Sequence, residues 1–180
     1  VILIVVSYCW ASREHPDPMG VHLRTIKRIL GFIRSKQCEK EIGKKKIAVF
    51  FDWMSLYQNH GGEPRTPEQD RLFGLGLGNV NLWYAHMWTY KLVLSLLAPP
   101  NLGRTSYYDS GWTTFELAVA GLISHPLNVW DAAELPEETL KKTSKFKIMR
   151  NKASRKRTLS KCPVSIKRII RSKTFTNGAD

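Results

Sequence analysis

The chain predicts an α/β fold built on a parallel sheet. Short apolar runs, several of them rich in β-branched residues, alternate along its 180 residues with longer stretches of helical periodicity. Each parallel link between strands needs a crossover connection, and the intervening helical stretches can supply one. The order β-α-β-α-β-α-β therefore predicts a flavodoxin-like sheet of four to five strands with helices on both faces.

Four strands are predicted from the apolar runs. Residues 1–8, VILIVVSY, form a continuous run of the kind buried on both faces of a parallel sheet. Residues 44–52 repeat this pattern and end in Asp52. Two further strands are predicted at residues 90–100, which a Pro pair ends, and at residues 126–132.

Helical periodicity fills the gaps between these strands. The first helix follows residue 20 and carries an apolar stripe at helical spacing, formed by Leu23, Ile26, Leu30 and Ile33. A second helix at 67–88 starts with Thr66 as N-cap, Pro67 at the first helical position and Gln69 three residues after the cap. Its GLGLGN segment predicts a broken helix, and the spacing does not match a dinucleotide-binding glycine fingerprint. Further helices are predicted at 111–124 and at 163–172.

The net charge of +13 is confined to the end of the chain. Residues 1–140 hold 14 Lys and Arg against 14 Asp and Glu, whereas residues 141–180 hold 14 Lys and Arg and a single acid, Asp180. We therefore divide the chain into an α/β domain at 1–140 and a basic tail at 141–180. The favoured interpretation of the tail is a solvated linker, and the alternative is salt-dependent contact with acidic partners such as nucleic acid or anionic lipid.

Cysteine usage and the chain ends bear on location. Cys9, Cys38 and Cys162 are far apart and odd in number, which suggests neither a disulfide framework nor a zinc site. A reducing, cytoplasmic setting follows, and no transmembrane segment is expected because the apolar run at Val1 is too short. The chain begins without Met, so we expect both ends to be cut from a longer protein.

Polar and aromatic side chains follow the first two predicted strands. Ligands of open α/β sheets bind beyond the carboxyl ends of the strands, and in a parallel sheet those ends share one edge. The residues that this rule selects are Ser7, Tyr8, Trp10, Asp52, Trp53 and Ser55. Asp52 is equally well interpreted as a cap for the next turn, and Ser55 as a residue that shapes the loop. The sequence contains no G-x-S-x-G elbow and no P-loop.

Glu116 is the single charge in the predicted helix at 111–124. One interpretation is structural: Thr113 and Glu116 match a capping box, with Trp112 and Leu117 as a hydrophobic staple. The other interpretation is functional. A carboxylate among apolar neighbours is costly unless it is paired or faces a cleft, and a raised pKa would suit it to acid–base chemistry or to stabilising a cation.

Several of these residues resemble the Toll/interleukin receptor (TIR) domain family in a divergent, microbial-eukaryote style. The resemblance covers residues 1–132 and rests on three stretches: VVSYCWASREHPD, AVFFDWMSL and the S-x-W-x-x-x-E-L motif from Ser110 to Leu117. Thr113 stands where the family usually has Cys, and the loop at 53–66 is unlike the usual BB loop. FFDWMSLYQ also resembles, more loosely, the related fungal heterokaryon-incompatibility (HET) domains.

The resemblance implies either of two functions. Members of the family cleave NAD, assemble signalling complexes, or do both. In the cleaving members the Glu of this motif is the catalytic residue, which implies Glu116 here, with NAD as substrate and no separate cofactor. Trp10, Trp53 or Trp112 would then contact the substrate. The alternative is a non-catalytic module that associates with its own kind in stress or immune-type signalling.

Overall fold

A computed structural model describes residues 1–12, 15–59, 63–96, 106–155 and 162–175. Four strands are defined: β1 at Ile2–Ser7, β2 at Ile47–Phe50, β3 at Tyr90–Val93 and β4 at Val129–Asp131. The helices are α1 at Val21–Ile33, α2 at Lys36–Ile42, α3 at Asp52–Ser55, α4 at Pro67–Ala85, α5 at Gly111–Ile123, α6 at Glu137–Lys141, α7 at Phe146–Ala153 and α8 at Pro163–Arg171.

The strands form one parallel sheet in the order β2-β1-β3-β4. This is a doubly wound order: β2 is added on one side of β1, and β3 and β4 are added on the other side. It confirms the predicted flavodoxin-like class. Alternate residues of a strand serve opposite faces: Leu92 joins the larger buried cluster and Val93 the smaller one. Trp130 and Val129 divide between the two clusters in the same way.

The burial expected for the second strand and the apolar stripe predicted for the first helix need correction. The second strand is at the edge of the sheet and is only partly buried, with Ala48 exposed, so it is not the fully buried strand that was expected. On α1 the buried positions are His22, Ile26, Ile29 and Ile33, whereas Leu23 is exposed. The buried stripe is therefore rotated slightly from the predicted one. Ile29 and Leu30 are both apolar, and it is Ile29 that is buried on α1.

Helix α4 is continuous, and the prediction of a break within it is wrong. The predicted start is confirmed: Thr66 caps the helix, and it forms a reciprocal capping box with Gln69. Glycine within a helix costs about 1 kcal/mol relative to alanine. Packing accounts for at least one of these glycines, because a Cβ at Gly76 would lie 2.5 Å from the Leu56 side chain. The helix thus continues through its glycines, of which Gly76 lies close to Leu56.

The basic segment is not entirely a solvated linker. Helix α7 lies within it, and its Phe146, Met149 and Ala153 are buried in the larger core cluster, where Phe146 packs against Trp130. Helix α8 follows the predicted position closely and packs against α5. Helix α7 is therefore part of the folded core, whereas α8 packs on helix α5. In the described ranges no helix has the length and apolar character needed to cross a bilayer.

Candidate active site at the carboxyl edge of the sheet

A cavity of about 270 Å³ lies where β1 and β2 end and where α4 and α5 pack together. From β1 and its loop come Tyr8 and Trp10, and from the start of α3 comes Asp52. Helix α5 contributes Trp112 and Glu116. Five of the eight predicted site residues therefore line one cavity, and three of the five follow parallel strands that end at one edge.

Sequence reasoning missed the opposite wall of this cavity. Helix α4 contributes Phe73, Leu77 and Val80, and the remaining lining residues are Leu56, Gln58 and Ser110. The signal was present, because Phe73, Leu77 and Val80 are spaced as neighbours on one helix face. The prediction of a broken helix concealed that spacing.

Three predicted residues lie beside the cavity rather than in its lining. Ser7 is 2% exposed and lies behind Glu116. Trp53 packs edge-on against the Trp10 ring at a centroid distance of 5.2 Å. The Ser55 hydroxyl accepts a hydrogen bond from the Phe51 backbone N–H, which makes it a local cap for α3. These three residues hold the residues that line the cavity in place.

Glu116 does not form the predicted capping box. The helix begins at Gly111 with Ser110 as its N-cap, so Thr113 lies inside the first turn. The Thr113 hydroxyl is buried and donates to the Tyr107 carbonyl oxygen at 2.6 Å. The Glu116 carboxylate faces away from the helix end and accepts a hydrogen bond from Ser7 Oγ at 2.5 Å.

A chain of hydroxyl groups supports Glu116 from beneath. Ser7 Oγ is also hydrogen-bonded to the Tyr107 hydroxyl, so when Ser7 donates to Glu116 the proton between Ser7 and Tyr107 comes from Tyr107. Tyr84 reaches the same carboxyl group and donates to the Val6 carbonyl oxygen at 2.9 Å. Neither tyrosine was predicted from the sequence. Tyr84 belongs to α4, and Tyr107 reaches the site through Ser7, from which it is separated by 100 positions.

Asp52 is the second carboxylate of the cavity. Its Oδ1 atom accepts hydrogen bonds from the Tyr8 hydroxyl at 2.5 Å and from the Trp53 backbone N–H at 2.7 Å. The second of these contacts is a helix-start contact, so Asp52 combines the two roles that the sequence left open. Burial raises the pKa of Asp52, and burial together with the Asp52 charge raises the pKa of Tyr8.

The cavity holds Glu116 in a state that is easily protonated. Burial raises the pKa of Glu116 to about 8; the hydrogen bond from Ser7 and the neighbouring Tyr84 hydroxyl oppose this rise, and the Asp52 charge adds to it. Two carboxyl groups in one partly buried site compete for ionisation, so a positive charge placed between them would be stabilised. Among the residues that the structure describes, no cluster of His, Cys, Asp and Glu is suited to a metal ion.

Ser7→Ala is expected to raise the pKa of Glu116 further. The Ser7 hydroxyl favours the ionised carboxylate, and an alanine methyl group cannot donate a hydrogen bond. We expect the titration midpoint of Glu116 to move upward by about one unit, since one hydrogen bond to a charged group is worth about 1.5–3 kcal/mol. NMR titration of ¹³C-labelled glutamate side chains measures this shift.

The control for that measurement is Ser144→Ala, which removes a hydroxyl from an exposed position far from the site. It should leave the Glu116 midpoint where it is in the unaltered chain. An unchanged midpoint in Ser7→Ala would mean that the Ser7 hydroxyl does not act on the carboxylate.

Comparison with protein-family models, with curated proteins and with solved structures finds no match to this chain.

Proposed function

We propose that the chain is a TIR-like signalling domain that hydrolyses the bond between ribose and nicotinamide in NAD. Support comes from one observation above all: Glu116, the acid of the S-x-W-x-x-x-E-L motif, lines an aromatic cavity at the carboxyl edge of the sheet together with Asp52. Breaking an N-glycosidic bond builds positive charge on the ribose ring, and a positioned carboxylate stabilises that charge.

The neighbours of Glu116 suit this task. Ser7 holds the carboxylate through its hydroxyl, so little reorientation is needed when charge develops on the substrate. Trp10 and Trp112 provide aromatic surface against which a planar ring can pack. Nicotinamide is a good leaving group because it departs as a neutral molecule, so the reaction does not need a second acid to protonate it.

The test is the release of nicotinamide from NAD by the purified chain. We expect turnover that is detectable by chromatography or NMR at high protein concentration, with a crowding agent present in a parallel sample. Tyr57→Ala is a control variant that should keep this turnover, because it removes an aromatic side chain that is absent from the cavity lining. No nicotinamide release in either sample would overturn the proposal.

A second candidate function is a non-catalytic assembly module. It is favoured by the surface of α4 and the turn after it, where the stretch from Leu72 to Trp88 carries no Asp, Glu, Lys or Arg and several large apolar side chains are exposed. Leu82 is 64% and Trp88 is 76% exposed. Exposed apolar patches of this kind mark interaction surfaces.

Sedimentation velocity separates the two functions. Oligomers that grow with concentration, in a chain that releases no nicotinamide, would favour assembly. Leu82→Asp should then shift the population toward monomer, since it places a charge in the exposed apolar surface. A chain that stays monomeric at high concentration would rule out this second candidate.

A further inference from the structure

The charged residues in the described lining of the cavity are of one sign. Asp52 and Glu116 are its acidic residues, and none of its described lining residues is Lys, Arg or His. All of these lining residues lie within residues 1–140, where 14 Lys and Arg balance 14 Asp and Glu. Phosphate groups are commonly bound by Arg, Lys or free backbone N–H groups, and carboxyl groups at close range repel phosphate once the carboxyl groups are ionised.

Two arginines of the described residues, Arg65 and Arg155, are already engaged by other groups. Arg65 lies over the Phe73 ring at 3.6 Å from its centroid, but it donates to the Tyr57 carbonyl oxygen and pairs with Asp70. Arg155, beyond β4, lies 3.4 Å from the Asp131 carboxylate. Neither side chain is among the lining residues, so neither offers an unpaired charge to a ligand inside the cavity.

The start of α5 offers little to an anion as well. Helix N-termini bind phosphate through their first backbone N–H groups. Here the N–H of Gly111 donates to the Thr174 carbonyl oxygen at 2.9 Å, in the segment that follows α8. One of the N–H groups at the start of α5 is therefore already paired.

The aromatic part of the lining favours a cation. Trp10, Trp112, Tyr8 and Phe73 surround the two carboxylates. A positive charge close to the face of a Trp or Tyr ring gains about 0.5–2 kcal/mol, with the larger values in dry sites. Carboxylates and aromatic faces together therefore recognise a flat, positively charged ring.

The size of the cavity limits what can enter. Its volume of about 270 Å³ is at the lower end of the range of about 300–1,000 Å³ that holds drug-sized ligands. One ring and one sugar are a better match to this space than a complete dinucleotide. Any phosphate on the sugar would have to lie outside, away from a lining that repels it.

We propose that the cavity selects N-ribosyl pyridinium nucleosides that carry no phosphate, so that nicotinamide riboside is a better substrate than nicotinamide mononucleotide or NAD. This inference rests on the proposed glycosidic cleavage. The bond between C1′ and the ring nitrogen breaks, and its electron pair neutralises the ring. Water adds to C1′ and gives up one proton, first to the Glu116 carboxylate and then to solvent. The products are nicotinamide, ribose and a proton.

Kinetics with three substrates test the selection. Nicotinamide riboside, nicotinamide mononucleotide and NAD share the reacting bond and differ in phosphate. We expect kcat/KM for the riboside to exceed that for the mononucleotide by at least about tenfold, which corresponds to about 1.4 kcal/mol. A kcat/KM for NAD or the mononucleotide that equals or exceeds the riboside value would overturn the proposed selection and leave the proposed hydrolysis standing.

Binding measurements test the proposed selection by the cavity even if no substrate is cleaved. Calorimetric titration would use 1-methylnicotinamide, which is a cation, nicotinamide, which is neutral, and nicotinamide mononucleotide, which adds a phosphate. We expect the cation to bind at least about tenfold more tightly than either of the others. Equal binding of the cation and nicotinamide, or tighter binding of the mononucleotide, would overturn the selection.

A charge-matched pair of variants tests whether the preference for a cation comes from the cavity. Asp52→Asn should reduce the affinity for 1-methylnicotinamide and leave the affinity for nicotinamide nearly unchanged. Glu138→Gln removes one negative charge from an exposed position on α6 and should change neither affinity. Loss of cation binding in both variants would assign the preference to overall charge and overturn a local selection.

Discussion

Glu116→Gln is expected to lower kcat/KM for glycosidic cleavage by at least about 10²-fold, in the range seen when a positioned electrostatic group is removed from an active site. Glutamine keeps the size and the hydrogen-bonding reach of the side chain but cannot carry the negative charge. Ser7 can still donate to the amide oxygen, so the local structure should persist. The substrate affinity should change less than kcat.

The same substitution should stabilise the fold at alkaline pH. The pKa of Glu116 is raised in the folded state to about 8, so between roughly pH 4.5 and pH 8 the folded chain binds more protons at this site than the unfolded chain. Stability from this group is therefore complete below its unfolded pKa and is lost as pH rises through about 8. Glu116→Gln removes that loss, and we expect a gain of about 1–3 kcal/mol at pH 9 and little at pH 5.

Turnover and stability should accordingly move in opposite directions with pH. Turnover needs the ionised carboxylate and should rise through about pH 8, whereas the free energy of unfolding falls over the same interval. The groups that face Glu116 are Ser7, Tyr84, Tyr107 and Asp52, and among these Asp52 supplies a charge of the same sign. Urea unfolding at pH 5, 7 and 9, with kinetics at the same values, measures both quantities.

Glu68→Gln is the control, because Glu68 is an exposed acid at the start of α4 and is remote from the cavity. It should leave the kinetics unaltered. Equal turnover in Glu116→Gln and the unaltered chain would eliminate Glu116 as the key carboxylate. Destabilisation of Glu116→Gln at pH 9 would show that the buried charge does not oppose folding.

Gly111→Ala is expected to destabilise the chain by about 1–3 kcal/mol, the usual cost of overpacking. A Cβ at Gly111 would lie 2.1 Å from the Phe175 ring, so the ring would have to leave its position. The sign of this stability change is informative, because alanine within a helix is otherwise more favourable than glycine by about 1 kcal/mol. The expected loss therefore reports directly on the docking of the segment after α8.

Removing the Phe175 ring should abolish or reverse the destabilisation caused by Gly111→Ala. In a Phe175→Ala background the added methyl group meets no ring, so Gly111→Ala should be neutral or slightly stabilising. Urea unfolding of the four members of this double-mutant cycle measures the coupling. Additive effects would mean that the Phe175 ring does not rest on Gly111 in solution.

This contact matters for the cavity as well as for stability. The Thr174 backbone N–H donates to the Asp109 backbone carbonyl oxygen at 3.0 Å, and the Phe175 ring lies edge-on to Trp112 at a centroid distance of 6.0 Å. Trp112 is a lining residue, so the docked segment supports one wall of the site. Undocking should be visible as a change in the near-UV circular dichroism that tryptophan contributes.

Much of the fold was predictable because strands and helices have local signatures. The apolar run that becomes β1 and the Thr66–Gln69 capping box each depend on residues that are close in sequence. Helix α4 was harder, since its glycines have weak helix propensity and yet the helix continues through them. Helix α7 was missed because its charged residues conceal the few apolar positions that reach the core.

The sequence by itself determined the parallel α/β class, the edge at which the polar groups gather and the presence of one acid on α5. It left Glu116 with two roles, and the tertiary structure decided between them. The physical reason is distance along the chain: a capping box involves residues one turn apart, whereas Ser7 and Glu116 are separated by 109 positions. Burial, the Asp52 charge and the Ser7 hydrogen bond set the pKa of Glu116, and all three arise only when the chain folds.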